Sequence, residues 1–539
     1  MRTVHIVFTI LIAGFYIYTL QPSLTWGDGA RIQMEAISGE SFPLSVLPDE
    51  MFSHDPYPFA KLSIAAWDHP LFVYLGYGLV NILPGVNALW LINLISAVFG
   101  AATIAVFFRI SFDITGSLSA SLLAALSLAF SHTFWFHAAT PEVYTLLSFL
   151  VLVVIYFLIK FEITRRVSQL FWAALFFGMG AATHILSMLI VPPVLIYYWL
   201  YVRKSGSYTF ATKTIGGVIL SFTVGFLPFI IQFVRMLRVF PLAEIWKPAA
   251  GAMFLETSIG FSLGFALQGI TTYLGYLFLQ FNPISLLLGV VGLGWARKTY
   301  PGAWGKVLPL YLIYTLFGMA YQVVDQFAFL LMSHVFFAFA IALGVGVLIN
   351  NLSSRKHQVL LGMGIVLTLG MPLFYRALPD IAARANITDE TLGIPGVGSE
   401  NMRSGITYYA NPNKSGDTSA YEFGSRTLAS LPADAIILAE WYTDTDEYLV
   451  FQYFSSIEKL RPDIEIIGWT LEDPFAFDAQ IAINEIENHI SGHPIYLASL
   501  SEEYYGVSKL AKKYCIVSEL NLYRVYNRPP TANCLTIQN

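Results

Sequence analysis

From residue 257 to residue 296 the chain contains no Asp, Glu, Lys or Arg, and residues 170–202 are equally bare of charge. Backbone polar groups cannot be left unpaired in hydrocarbon, and a helical span needs roughly 20 apolar residues, so stretches like these belong in membrane helices or against them. The charge deficit is confined to residues 1–376. Overall the chain is 56% hydrophobic and 12% charged, against about 25% charged in soluble proteins. In residues 377–539 charges return and apolar runs shorten to strand length. The expected fold class is an α-helical polytopic membrane protein with a C-terminal soluble α/β domain. Domain 1–376 is followed by a linker at 377–417, whose Gly, Pro, Asn and Ser cluster in 385–417, and then by domain 418–539. A net charge of −5 argues against a nucleic-acid partner. The apolar run after Met1-Arg2 reads as a retained first helix rather than a cleaved signal, because no small-residue cleavage site precedes Trp26.

Basic residues cluster at Arg165-Arg166, Arg203-Lys204 with Lys213, Arg297-Lys298 with Lys306, and Arg355-Lys356. The positive-inside rule puts all four on the cytoplasmic side. Parity then gives about eleven crossings of the cytoplasmic (inner) membrane and an extracytoplasmic C-terminal domain. It also requires one of the apolar runs before Arg165 not to cross. The shortest, 70–84, is expected as a surface helix within a first outer loop spanning 23–87. The run 117–136 is expected as one span. The first half of 257–296 is expected to be outer-face or re-entrant and its second half a crossing.

In the C-terminal domain, short apolar runs predict strands at 435–439, 464–469, 494–497, 515–517 and 522–525, with helices at 418–430, 445–460 and 477–490. This alternation predicts a layered α/β fold with a mostly parallel sheet. No Gly-rich phosphate loop follows any strand, so no nucleotide site is expected. The two cysteines, Cys515 and Cys534, are either a disulfide or two thiols.

Polar residues at a membrane boundary carry information because leaving them unsolvated is costly. Asp28, between Gly27 and Gly29, follows the first helix; glycines let the backbone turn and leave the carboxylate reachable. A solvated acid at a helix end is the plain alternative. Asp68 and His69 precede Pro70, where Asp68 suits a cap. Glu142 opens a helix, where an acid favours the dipole. Asp325 stands alone between two apolar runs. His184 reads more as a packed histidine than as a catalyst. Lys247 and Arg238 fall in an outer loop and suit an anion or simple snorkelling. Parity brings Asp28, Asp68, His69, Glu142 and Asp325 to one side of the membrane. A reachable carboxylate there suits transfer from a lipid-linked phosphate donor: the acid takes a proton from an acceptor hydroxyl, and cations stabilise the leaving phosphate. Carboxylates are also ligands for a divalent cation, but no tight metal-ligand spacing accompanies them.

Gly27-Asp28, His69-Pro70 and Glu142-Val143-Tyr144-Thr145-Leu146 together resemble the GT-C superfamily of membrane glycosyltransferases, and in particular its protein O-mannosyltransferase-like family. The resemblance covers about residues 1–200; Asp68-His69-Pro70 lacks the second proline of other members. It implies a polyprenyl-phosphate sugar donor, a protein, lipid or glycan acceptor, and hexosyl, mannosyltransferase-like transfer with inversion. It casts Asp28 as base, with Asp68 and His69 shaping the donor phosphate pocket. Glu142 and Tyr144 would line the substrate site, with His184, Lys247 and Asp325 around it. Two other classes compete. A transporter or flippase of lipid-linked or polymeric glycan would place polar residues at mid-membrane and carry internal repeats, and neither is evident. A non-catalytic assembly protein would depend on its C-terminal domain alone.

Overall fold

The structure is a computed structural model. It describes residues 2–39, 69–201, 212–238, 241–249, 259–260, 262–323, 325–394, 396–398, 403–440, 447–469, 479–528 and 534–535. Six helices are long and apolar enough to cross a membrane: Ala88–Thr115, Tyr144–Thr164, Thr212–Met236, Pro301–Ala320, Leu331–Asn351 and Ser354–Arg384. A seventh span results if the bent pair Leu118–Ala129 and His132–Ala139 is taken as one. Shorter apolar helices, among them Arg2–Tyr18 (α1) and Ser168–Ala181, complete the bundle. The eleven expected crossings are therefore not each matched by a full-length helix among the described residues.

Residues 23–87, expected as an outer loop, include the helix Asp28–Ser38 (α2). Gly27, at φ 62°, makes the turn into it. Pro70–Ile82 (α3) has 13 residues, about 20 Å at 1.5 Å per residue, which is short of a hydrocarbon core of about 30 Å. Its first turn is buried and its last is exposed. Ala88–Thr115 (α4) follows.

The run expected as one span at 117–136 is instead broken by 62° between Leu118–Ala129 (α5) and His132–Ala139 (α6). A break frees backbone carbonyls that lipid cannot satisfy. Here tyrosine hydroxyls supply the donors: Tyr16 to the Ala129 carbonyl at 2.9 Å and Tyr375 to that of Phe130 at 3.3 Å. Ser131 donates to the Leu128 carbonyl at 2.8 Å. Tyr144–Thr164 (α7) then leads to Ser168–Ala181 (α8).

The charge-free stretch 257–296 carries two helices. After Val191–Tyr201 (α9), Thr212–Met236 (α10) and Leu242–Ala249 (α11) come Leu263–Gln280 (α12) and Pro283–Thr299 (α13), parted at Asn282. The Asn282 side chain accepts from the amides of Ile284 and Ser285 and donates to Thr368 at 2.8 Å. Pro301–Ala320 (α14), Leu331–Asn351 (α15) and Ser354–Arg384 (α16) close the membrane part.

Glycines set two close helix crossings. A Cβ added at Gly344 on α15 would collide with the Leu288 carbonyl, and one at Gly292 on α13 with that of Ala340. The same reciprocity joins Gly178 on α8 to the Phe222 carbonyl and Gly225 on α10 to that of Leu175. Without a hydrophobic drive between helices in lipid, such backbone approach is what packs them.

Residues within 385–417, expected as linker, are held by specific bonds. Asp389 accepts from the amides of Gly405 and Ile406 at 2.8 and 2.9 Å, anchoring Gly405–Ala410 (α17). Ser419–Ser430 (α18) opens the α/β domain. Its strands Ile436–Glu440 (β1), Glu465–Trp469 (β2), Ile495–Leu497 (β3), Cys515–Glu519 (β4) and Leu522–Tyr526 (β5) form one sheet in the order β2-β1-β3-β5-β4. β1 pairs in parallel with β2 and β3, whereas β5 runs antiparallel to β3 and β4. The sheet is thus mixed rather than mostly parallel. Leu520 and Asn521, both at positive φ, turn β4 directly back into β5 as a two-residue hairpin does. Cys515 and Cys534 form a disulfide.

β1 alternates between two cores, as a strand buried on both faces must. Ile436 and Leu438 pack with Ala482 and Ile486, while Ile437 and Ala439 share a core with Leu24, Trp26, Ala30 and Met34. The α/β domain therefore rests directly on Leu24, Trp26 and α2.

Candidate active site

Asp28 is placed by its neighbours rather than by its own contacts. Asn93 and Ser96 on α4 are polar residues inside a span-length apolar run. Asn93 donates to the carbonyls of Gln21 and Ser23 and accepts from Gln33 at 2.8 Å, while Gln33 accepts from the Thr25 amide at 3.1 Å. This buried knot fixes residues 21–25, which lead into Gly27. One helical turn further along α4, Ser96 donates to the Glu142 carbonyl and accepts from the Glu142 amide at 3.0 Å. One helix thus holds both carboxylate-bearing segments.

The result is a cleft of about 700 Å³, partly open to solvent, between α2, the ends of the membrane helices and α17. Asp28, His69, Glu142, Tyr144 and Asp325 all line it, together with Trp26, His137, Phe327, Tyr408 and Tyr409. The Asp28 side chain is 60% exposed and pairs with Arg31 at 3.3 Å. Arg31 also reaches the buried Glu35 at 3.9 Å. Glu142 is less accessible. Burial pushes its carboxyl up to about 8, with the charges of Asp28 and Asp325 adding to the effect and Arg31 opposing it. Asp325 is held above the usual carboxylate range, by burial first and then by Asp28.

His69 caps α3 in the left-handed region, at φ 53°. Its Nδ1 lies 2.8 Å from the Thr183 carbonyl. A carbonyl only accepts, so Nδ1 carries a hydrogen in this contact. His184 does not line the cleft; it stacks behind His69 at 5.3 Å and packs at a tilt against Tyr144 at 5.4 Å. Its Nδ1 accepts from the Leu186 amide. Asp68 lies outside the described residues, as does the side chain of Lys247, whose backbone belongs to α11.

The sequence reading missed Trp26, His137, Phe327, Tyr408 and Tyr409. The aromatic density around His132 and the Tyr408-Tyr409 pair were available signals, but both sat in segments read as span and linker. Beside them Lys414 is buried. Its ammonium donates to the Tyr408 carbonyl and lies 3.7 Å from the centre of the Tyr408 ring. Burial lowers it to about 7, opposed by Asp417 and helped by Arg403. Among the described residues, no group of three or more His, Cys, Asp or Glu is placed to hold a metal ion.

The chain is a multi-pass membrane protein with the GT-C fold. It superposes along its whole length on ArnT from Cupriavidus metallidurans bound to undecaprenyl phosphate, at a TM-score of 0.57 and 13% identity, covering 100% of both chains. The apo form of ArnT gives 0.57 at 14% identity over 98% of each chain. Residues 68–209 match the profile of the protein O-mannosyl-transferase TMEM260 N-terminal domain. No curated protein matches it.

Proposed function

We infer that the protein is a membrane glycosyltransferase that moves a sugar from a polyprenyl-phosphate-linked donor to an acceptor hydroxyl at the outer face of the inner membrane. The observation that carries this reading is the meeting of Asp28, His69, Glu142 and Asp325 in one cleft, walled on one side by Tyr408 and Tyr409 of α17. Asp28, the reachable carboxylate, takes the acceptor proton. The acceptor oxygen bonds to the anomeric carbon from the face opposite the phosphate, the carbon–phosphate oxygen bond breaks, and polyprenyl phosphate leaves with the bonding electrons. His69, oriented by Thr183 and lining the cleft, is the candidate to stabilise the leaving phosphate. Tyr144 lines the sugar, backed by His184, and Lys247 on α11 is a further candidate for the anionic donor. The α/β domain and α17 face a protein, lipid or glycan acceptor. The O-mannosyltransferase likeness makes mannose the first sugar to test. The test is incubation of purified protein with a panel of polyprenyl-phosphate sugars and candidate acceptors. Sugar-dependent release of polyprenyl phosphate is expected, and no release from any donor would overturn the reading.

Glu142 contributes as a neutral hydrogen-bond donor. Its proton is retained below about pH 8 and lost above it. The rate is therefore expected to fall as pH rises through that value, and Glu142→Gln, which cannot ionise, should lose this upper limb while keeping most of the rate at pH 7. An unchanged upper limb in Glu142→Gln assigns the titration elsewhere.

A further inference from the structure

Trp26 stands two residues before Asp28 and lines the same cleft, yet its indole is held by a residue from the far end of the chain. Its Nε1–H donates to the Ser419 hydroxyl at 2.9 Å across a sequence separation of 393. The Ser419 hydroxyl lies 2.6 Å from Asp417 Oδ1, and Asp417 Oδ2 lies 2.9 Å from Arg403 Nη1. The direction of this chain is forced. An indole N–H only donates and an ionised carboxylate only accepts, so Ser419 must accept from Trp26 and donate to Asp417. Trp26 and Asp417 are both buried, which strengthens a connected polar chain of this kind. The seat is closed from the other side by Phe423, whose ring centre is 5.4 Å from that of Trp26. The segment that carries Asp417 is in turn tied to the membrane part, where the Lys414 amide donates to the Thr19 carbonyl at 3.0 Å, at the outer end of α1.

We propose that Ser419 is a positioning residue for Asp28: by fixing the Trp26 indole against Asp417, the segment joining the membrane part to the α/β domain sets where the candidate base stands. Gly27 is the reason such a hold is needed. With no side chain and a positive φ, it is the softest point of the turn between Trp26 and Asp28, its carbonyl held by the Ala30 amide at 2.9 Å. The membrane part holds this segment at Thr25 and, beyond Asp28, at Gln33, through the Gln33–Asn93 bond, with Trp26 to Asp28 lying between the two. Trp26 therefore acts as the anchor between them, and Ser419 is what locks it. Asp28 needs that anchor, because a misplaced base loses rate without losing affinity.

The proposal rests on the glycosyl-transfer reading for its kinetic effect but not for its structural one, so two readouts separate them. In the full-length protein, Ser419→Ala is expected to lower kcat about tenfold, the effect of one oriented buried hydrogen bond. KM for the polyprenyl-phosphate sugar should stay within about twofold, since the donor phosphate side is untouched. Ser419→Thr, which keeps the hydroxyl, should restore kcat. The double variant Trp26→Phe with Ser419→Ala should be no slower than the slower single variant, because both break the same bond. Independently, amide hydrogen exchange of the peptide covering residues 26–34 should quicken in Ser419→Ala and return to the wild-type rate in Ser419→Thr. Unchanged exchange in Ser419→Ala overturns the proposal whatever the kinetics show. A fall in kcat that Ser419→Thr does not restore also overturns it. Faster exchange in a protein with no transferase activity would support the positioning contact and overturn the functional reading instead.

Discussion

Replacing Asp28 with asparagine is expected to reduce kcat for sugar transfer by about 10²–10⁴-fold, the range supplied by a positioned general base. The fold should not notice the change. The Asp28 side chain is 60% exposed and pairs at 3.3 Å with Arg31, which is 11% exposed; with the carboxylate in water, such a pair is worth about 1 kcal/mol or less. Asparagine keeps the shape and can still accept a hydrogen bond. Expression and melting temperature should therefore match wild type while release of polyprenyl phosphate disappears. Because Arg31 also reaches Glu35, an Arg31→Gln variant checks whether a loosened arginine explains the loss; it should retain much more activity than Asp28→Asn. Wild-type rates in Asp28→Asn would remove Asp28 from the role of base and leave the cleft without an accessible acid to replace it among Glu142 and Asp325, both held above the usual carboxylate range.

The second large effect concerns assembly. Gly344→Leu is expected to destabilise the membrane part by at least about 3 kcal/mol, at the upper end of overpacking penalties. The new side chain would meet the backbone carbonyl of Leu288, and a carbonyl cannot rotate away as a side chain can. Helices α13 and α15 would have to separate, and α15 is buried along nearly its whole length. Gly294→Leu provides the matched control. It lies on α13, but nothing approaches its Cβ position within 4 Å, and removing a mid-helix glycine favours the helix by up to about 1 kcal/mol. The measurement is the melting temperature of the two variants in the same detergent. Equal melting temperatures would mean that the helices do not cross at this glycine.

Much of the architecture was legible because hydropathy acts over long windows. The charge-free runs marked the membrane part, and the return of charge marked the α/β domain with all five strands near their observed positions. The failures are local and have physical causes. The bend between α5 and α6 depends on hydroxyls of Tyr16 and Tyr375, which reach the freed carbonyls from distant helices. No window containing residues 117–136 holds that information. The reversal of the sheet at Leu520-Asn521 lacks the Asn-Gly or Asp-Gly signal of a tight hairpin, so the last strands looked like further parallel ones. Asp28, His69, Glu142 and Asp325 could be named because a carboxylate or histidine at a membrane boundary is conspicuous, and Tyr144 through the family resemblance. Tyr408, Tyr409 and Ser419 could not, because aromatic and hydroxyl residues in a Gly- and Asn-containing stretch are ordinary until the chain folds back on Trp26.

The tie between Lys414 and Thr19 also bears on when the protein can first work during its own synthesis. One wall of the cleft comes from residues 25–32 and the other from Tyr408 and Tyr409. At about 5–20 residues per second, the ribosome needs roughly 20–80 s to travel between them. Throughout that interval the first wall is already in the membrane while its partner has not been made. A nascent chain halted after the last membrane helix would insert normally yet hold an unfinished cleft, so premature termination should yield inert protein rather than an unregulated transferase.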